Sequence, residues 1–144
     1  GFFLTYAAGT ISSSLAGKAS QSWKQTTCMF IGILCMVVSL TFTLIPSFIV
    51  IIFSLLLLSF GFFFVHSSSS AWVTRHAMEA KASASGLYLT SYYIGGSIGS
   101  IYYGFLWPMY KWPGVIIGSL FILLITSIFT FLLFRIEKRE KVLL

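Results

Sequence analysis

The side chains best suited to chemistry in this sequence fall in two short stretches. His66 is followed directly by Ser67, Ser68, Ser69 and Ser70, and further on come Tyr88, Tyr92 and Tyr93. An imidazole takes and gives a proton near neutral pH. Tyr88 and Tyr92 are four apart, so on a helix they share a face. A buried phenol needs a hydrogen-bond partner, and a water-filled cavity supplies one. Tyr6 offers a further phenol near the start of the chain. Tyr6, His66, Tyr88, Tyr92 and Tyr93 are therefore the candidates for contact with a small-molecule substrate, and His66 is also a candidate for carrying a proton. A structural role for His66 stays open beside this one, because a neutral imidazole can bond a Ser or a carbonyl on the next helix. The four serines serve equally well as small, polar helix contacts.

Equally informative are the groups that are missing. The chain of 144 residues has no Asp, and its three acids are Glu79, Glu137 and Glu140, all outside its apolar runs. No His, Cys, Asp and Glu cluster has metal-ligand spacing, and no Gly-rich phosphate loop or intramembrane-protease pair is present. Neither metal nor cofactor is expected, and enzyme activity is not. Cys28 and Cys35 are seven apart, about 10 Å along one helix face, too far for a disulfide in a straight helix. They read as small apolar packers.

The scaffold follows from composition. Hydrophobic residues make up 58% of the chain and charged ones 8%, against about 25% charged in soluble globular proteins. So few charges cannot cover the surface of a soluble domain of this size. The net charge of +6 has no polar domain to carry it, so nucleic acid is not a partner; the lipid bilayer is. The chain begins in apolar sequence without a basic segment before it or an Ala-x-Ala site after it, unlike a signal peptide. It reads as beginning partway into a longer protein.

A helix crossing the hydrocarbon core needs about 20 mostly apolar residues. Charges and turn residues divide the chain into about five such spans, at 1–17, 27–45, 46–72, 82–109 and 113–134, followed by a tail over 135–144. Pro46 marks the turn between the second and third, since it disfavours helix at Ile45 and can open the next one. The runs are apolar on every side, unlike barrel strands. The fold class is an all-α integral membrane protein. Lys18, Lys24, Arg75, Lys81, Arg135, Lys138, Arg139 and Lys141 then fall on one side, and Lys111 alone on the other. By the positive-inside rule the C-terminus is cytoplasmic and Gly1 lies toward the outside of a cell membrane.

The fourth span carries two small-residue stripes, Ser91, Gly95, Gly99 and Gly96, Ser100, Gly104. Such stripes let helix backbones approach closely, and they suit tight packing or a helix that rocks against its neighbours.

Several stretches then match a known pattern: Tyr6-x-x-Gly9-Thr10-x-Ser12-Ser13-x-x-Ala16-Gly17; Gly61 to Val73 with His66-Ser67 and Trp72; Leu87-Tyr88-x-x-Ser91-Tyr92-Tyr93-x-Gly95; and Trp112-x-Gly114-Val115. Together they resemble the major facilitator superfamily, in particular its YnfM-type, arabinose-efflux-like bacterial permeases. The resemblance implies helices eight to twelve of a twelve-helix fold, the C-terminal half-bundle of a transporter whose N-terminal half is missing here. It implies proton-coupled efflux of a small organic molecule by alternating access, with little expected of this part alone. In one respect the chain departs from the pattern. The family's cytoplasmic loop motif, Gly-x-x-x-Asp-Arg-x-Gly-Arg-Arg, would begin at Gly17, but Gln21, Ser22 and Lys24 stand where its Asp, Arg and second Gly belong. Gly17 and the basic Lys24 are the remnant. A different kind of function, a non-transporting membrane subunit packing through the small-residue stripes, remains the alternative.

Overall fold

In the computed structural model the described residues are 2–143; Gly1 and Leu144 lie outside them. The chain forms four helical runs: α1 (Phe2–Ser22), α2 (Gln25–Phe42), α3 (Phe48–His76) and α4 (Lys81–Leu143). No strand occurs among the described residues. Three of the runs, α2, α3 and α4, are long and apolar enough to cross a membrane. A continuous α4 of 63 residues would be about 95 Å long at 1.5 Å per residue, three times the hydrocarbon thickness. It is not continuous. Lys111 adopts φ 53° and ψ −146°, and the limbs 81–110 and 112–143 fold back on each other. Tyr103 Oη lies 2.8 Å from Ser119 Oγ, and Tyr102 Oη donates to the Gly118 carbonyl at 3.4 Å.

Prolines explain the position of this reversal. Pro108 cannot donate to the carbonyl four residues back, which weakens the end of the first limb. Pro113 stands in the first turn of the second limb, where a missing N–H costs nothing. The conformation of Lys111 is one that glycine alone adopts freely, at a cost of about 1–3 kcal/mol for other residues. Lys111→Gly is therefore expected to stabilise the chain, by about 1 kcal/mol after glycine's extra unfolded-state entropy. Thermal unfolding in detergent micelles is the check, and a lower midpoint would contradict the assignment of strain.

Helices α2 and α3 form an antiparallel hairpin around Pro46. Its turn is closed by the Thr43, Leu44 and Ile45 amides, which donate to Ser39, Thr41 and Phe42 carbonyls. Helix α3 starts at Phe48, two residues after the proline, behind an extended Ser47. Along the hairpin, small residues face one another. Ser39 Oγ donates to the Ser54 carbonyl at 2.7 Å, Gly32 faces Gly61 backbone to backbone, and Cys28 lies beside Ser68. All six are buried. Cys28 also packs with Ala16 and Phe64, and both cysteines are free.

Helix α1 lies against α3. Ser12 Oγ donates to the Phe60 carbonyl, Ser59 Oγ to the Thr5 carbonyl, and Gly9 admits the Phe63 ring. The second limb of α4 covers α2, burying Ile33, Leu40, Ile116 and Leu123 in one cluster. Trp112 Nε1 donates to Thr43 Oγ1 at 3.2 Å and ties the two at their shared end.

Several boundaries differ from the sequence expectation. Helix α2 ends at Phe42 and not at 45, and α3 runs past 72 to His76 and so takes in Arg75. The largest differences are at the two ends of the chain. Gly17 and Lys18 are not in a loop, because α1 continues to Ser22; the stretch after Gly17 contains Lys, Ala and Gln and no proline, so nothing stops the helix. Only Trp23 and Lys24 link it to α2. At the other end the expected tail is helical through Leu143. A span ends where apolar sequence ends, whereas a helix ends where its hydrogen bonding fails.

Candidate functional site: a hydroxyl-lined cleft and the network below it

Three of the five sequence candidates meet where α3 and the first limb of α4 touch. The Tyr88 hydroxyl lies 2.9 Å from His66 Nδ1 and 3.2 Å from the His66 carbonyl oxygen. One arrangement satisfies both contacts. Nδ1–H donates to the phenol oxygen, and the phenol donates to the carbonyl, which leaves the Nε2 lone pair for a proton or a ligand. The Tyr92 ring stands 4.7 Å from the imidazole, Phe62 is stacked parallel to the imidazole at 6.1 Å, and the Phe62 and Tyr92 rings lie 6.2 Å apart. Tyr93 joins edge-on through Tyr92 at 5.3 Å, with its own ring 69% exposed. Tyr6 stands apart on α1, 68% exposed.

From His66 an open cleft of about 500 Å³ runs along α3, lined by His66, Ser67, Ser70, Ala71, Thr74 and Arg75. Helical spacing puts Ser67, Ser70 and Thr74 on one face, so the run of serines supplies a polar wall. Thr74 Oγ1 donates to the Ser70 carbonyl at 3.0 Å and meets Ser85 Oγ of α4 at 3.3 Å. Arg75 closes the far end. With its amide oxygen turned toward the guanidinium, Gln25 accepts from Arg75 Nε at 3.0 Å and Nη1 at 2.8 Å. Among the described residues no carboxylate lines this cleft.

Below the cleft is a network that the sequence reading did not find. Glu137, on the last stretch of α4, accepts from Trp72 Nε1 at 2.9 Å and from Thr26 Oγ1 at 2.8 Å. His76 stacks on Trp72 at 3.8 Å between centroids. Its Nδ1 lies 2.9 Å from the Trp72 carbonyl and its Nε2 3.3 Å from Glu140. Helices α2, α3 and α4 are thus joined at one end. The available signal was the scarcity of acids: in a chain with three, each is worth pairing with a specific donor.

The small residues of the first α4 limb are placed differently. Added β-carbons at Gly95, Gly96, Gly99 and Gly104 would meet open space. Ser91 and Ser100 bond their own helix carbonyls at Leu87 and Gly96. Gly17 is likewise open, and Lys24 lies with its ammonium 5.0 Å over the Phe134 ring. Among the described residues no group of His, Cys, Asp and Glu is arranged to hold a metal.

Helices long and apolar enough to cross a membrane, with a hydroxyl-lined cleft beside His66, define the class as an α-helical membrane protein. The sequence model of the Major Facilitator Superfamily matches residues 1–144, and the chain belongs to that family. An uncharacterized transporter of Buchnera aphidicola subsp. Schizaphis graminum is 35% identical over 135 residues, 94% of this chain and 32% of that protein. The uncharacterized MFS-type transporter YybF of Bacillus subtilis is 34% identical over 123 residues, 85% of this chain and 30% of its own length. The inner membrane transport protein YnfM of Escherichia coli is 49% identical over 55 residues, covering 38% of this chain and 13% of YnfM. The chain spans about a third of the length of the first relatives it matches. No solved structure matches it.

Proposed function

We propose that this chain is the C-terminal part of a secondary active transporter, with five spans counted by treating the two limbs of α4 separately. It exports a small organic molecule across the cell membrane by alternating access, coupled to protons, and works together with an N-terminal half. The split of eight basic residues against Lys111 supports a cytoplasmic C-terminus. The observation that carries the reading is the His66–Tyr88 pair at the head of a hydroxyl-lined cleft. An ionisable side chain at membrane depth is costly unless used, and here Tyr88 orients its ring with one nitrogen left for a cargo.

The test is proton-driven flux in inverted vesicles carrying the longest reading frame that contains this chain, with a panel of neutral, cationic and anionic organic probes. His66→Gln should abolish coupled flux at unchanged abundance. Tyr88→Phe removes both hydrogen bonds of the phenol; loss of the one that orients the imidazole, about 1 kcal/mol, should lower flux by roughly fivefold. Full flux in His66→Gln would sink the role of the histidine, and no flux of any probe would sink transport itself. The second reading, a membrane subunit that assembles through helix faces, draws on the open small-residue stripes of α4. It is favoured if flux is absent while Gly95→Leu and Gly99→Leu strip a protein partner from the chain.

A further inference from the structure

We propose that the end of α4 forms a binding site for the phosphate headgroup of an anionic phospholipid. Four observations converge on it. First, α4 does not stop where its apolar sequence stops at Phe134 but runs on to Leu143, so Arg135 and the residues after it emerge at the depth of the headgroups. Second, the two acids of this segment lie on the helix face away from Arg135 and Arg139, Glu137 part-buried and Glu140 still half-exposed. Glu137 is taken up by Trp72 and Thr26, and Glu140 by His76. Third, the opposite side is left basic: Arg135, Lys138 and Arg139 line a groove of about 470 Å³ with Val142 and Leu143. Among the described residues no carboxylate lines it. Fourth, the groove is amphipathic along its length, with Arg135 lying 6.0 Å over the Phe131 ring and two aliphatic side chains at its far end.

These features fit one chemistry. A phosphodiester offers several acceptor oxygens to guanidinium and ammonium donors, and arginine can bind two of them at once. The adjoining glycerol and acyl carbons would lie against Val142 and Leu143. A free phosphate would satisfy the cations but leave the aliphatic end of the groove uncovered. A lipid does both, and it is already present at high density at this depth. The basic cluster thereby becomes more than a marker of orientation, because its two acids are held on the opposite face and the groove is lined by cations.

The full chain, reconstituted in phosphatidylcholine bilayers, is probed by electron spin resonance with spin-labelled phosphatidylglycerol, cardiolipin or phosphatidylcholine. The fraction of each probe held at the protein gives its relative association. Both anionic probes should be preferred over phosphatidylcholine, and the triple variant R135Q/K138Q/R139Q should lose that preference by roughly tenfold, since each basic residue near the surface contributes substantially. Lys111→Gln, at the opposite end of the limb, should keep it. Lys138→Arg should also keep it, which guards against a general folding defect in the triple variant. Inorganic phosphate added at constant ionic strength should not displace the lipid probes; complete displacement would make the site one for free phosphate. Equal association of all three probes would overturn the proposal and leave the groove to an acidic protein segment, as would an undiminished preference in the triple variant.

Discussion

Gly61→Ala is expected to break the seam between α2 and α3. A β-carbon at Gly61 would stand 2.6 Å from the Gly32 carbonyl oxygen and 2.8 Å from Met36 Cγ. The methionine can swing away, but the carbonyl belongs to a helix backbone and cannot. The reciprocal change, Gly32→Ala, meets the Gly61 carbonyl at 2.8 Å and Val65 Cγ2 at 2.6 Å. Overpacking of this kind costs about 1–3 kcal/mol. The cost should lie toward the upper end here, because separating the helices also strains the Ser39–Ser54 bond on the same face. In lipid there is little hydrophobic drive between helices, so close packing and interhelical hydrogen bonds hold them together. Unfolding in mixed micelles by a denaturing detergent is the check. Gly95→Ala and Gly99→Ala, which meet no other atom, should not destabilise this chain and should gain up to about 1 kcal/mol from the better helix former. Equal effects at Gly61 and Gly95 would refute the seam.

Loss of the Glu137 carboxylate should have an effect at least as large. Glu137→Ala leaves Trp72 Nε1 and Thr26 Oγ1 without the acceptor they share, and Thr26 is fully buried. An unsatisfied buried donor costs about 1–3 kcal/mol, so about 2–4 kcal/mol is expected once partial access of the indole to water is discounted. Glu137→Gln keeps one carbonyl oxygen and should recover part of the loss. The readout beyond stability is limited proteolysis of the end of α4, which should speed up in Glu137→Ala and return toward the parent rate in Glu137→Gln. An unchanged cleavage rate in Glu137→Ala would show that Glu137 does not hold this helix.

Much of this architecture can be read from the residues, and the parts that cannot have physical reasons. The apolar runs around Ile33, Leu58 and Leu123 announce long helices, and Pro46 places the first reversal. The Pro108, Lys111 and Pro113 group marks the second, although its form, one residue of positive φ between two helical limbs, depends on three-dimensional fold-back. His66, Tyr88 and Tyr92 are each identifiable as chemical groups. That His66 and Tyr88 meet at 2.9 Å depends on how α3 and α4 cross, which no local pattern encodes. The α2–α3 seam was present in the sequence as Ser54, Gly61 and Ser68, spaced by seven. It is harder to see than Gly95 and Gly99 because each small residue stands alone among Leu and Phe, and only the facing helix reveals the stripe. Glu137 and Glu140 read as solvated charge beside their basic neighbours. Their role emerges only because the helix continues and its turn points them at Trp72, Thr26 and His76.

The inward hook of α4 has a consequence for how the chain is made. Synthesis runs from the N-terminus, so Thr26, Trp72 and His76 enter the membrane well before the two carboxylates that will hold them exist. Until the ribosome has passed residue 140, the lower ends of α2 and α3 must wait with their donors turned to water or lipid headgroups. Closure of that end thus reports that translation has passed residue 140. A product stopped short of Glu137 would carry all four helical runs and still present an open base, with Thr26 and Trp72 lacking their shared acceptor.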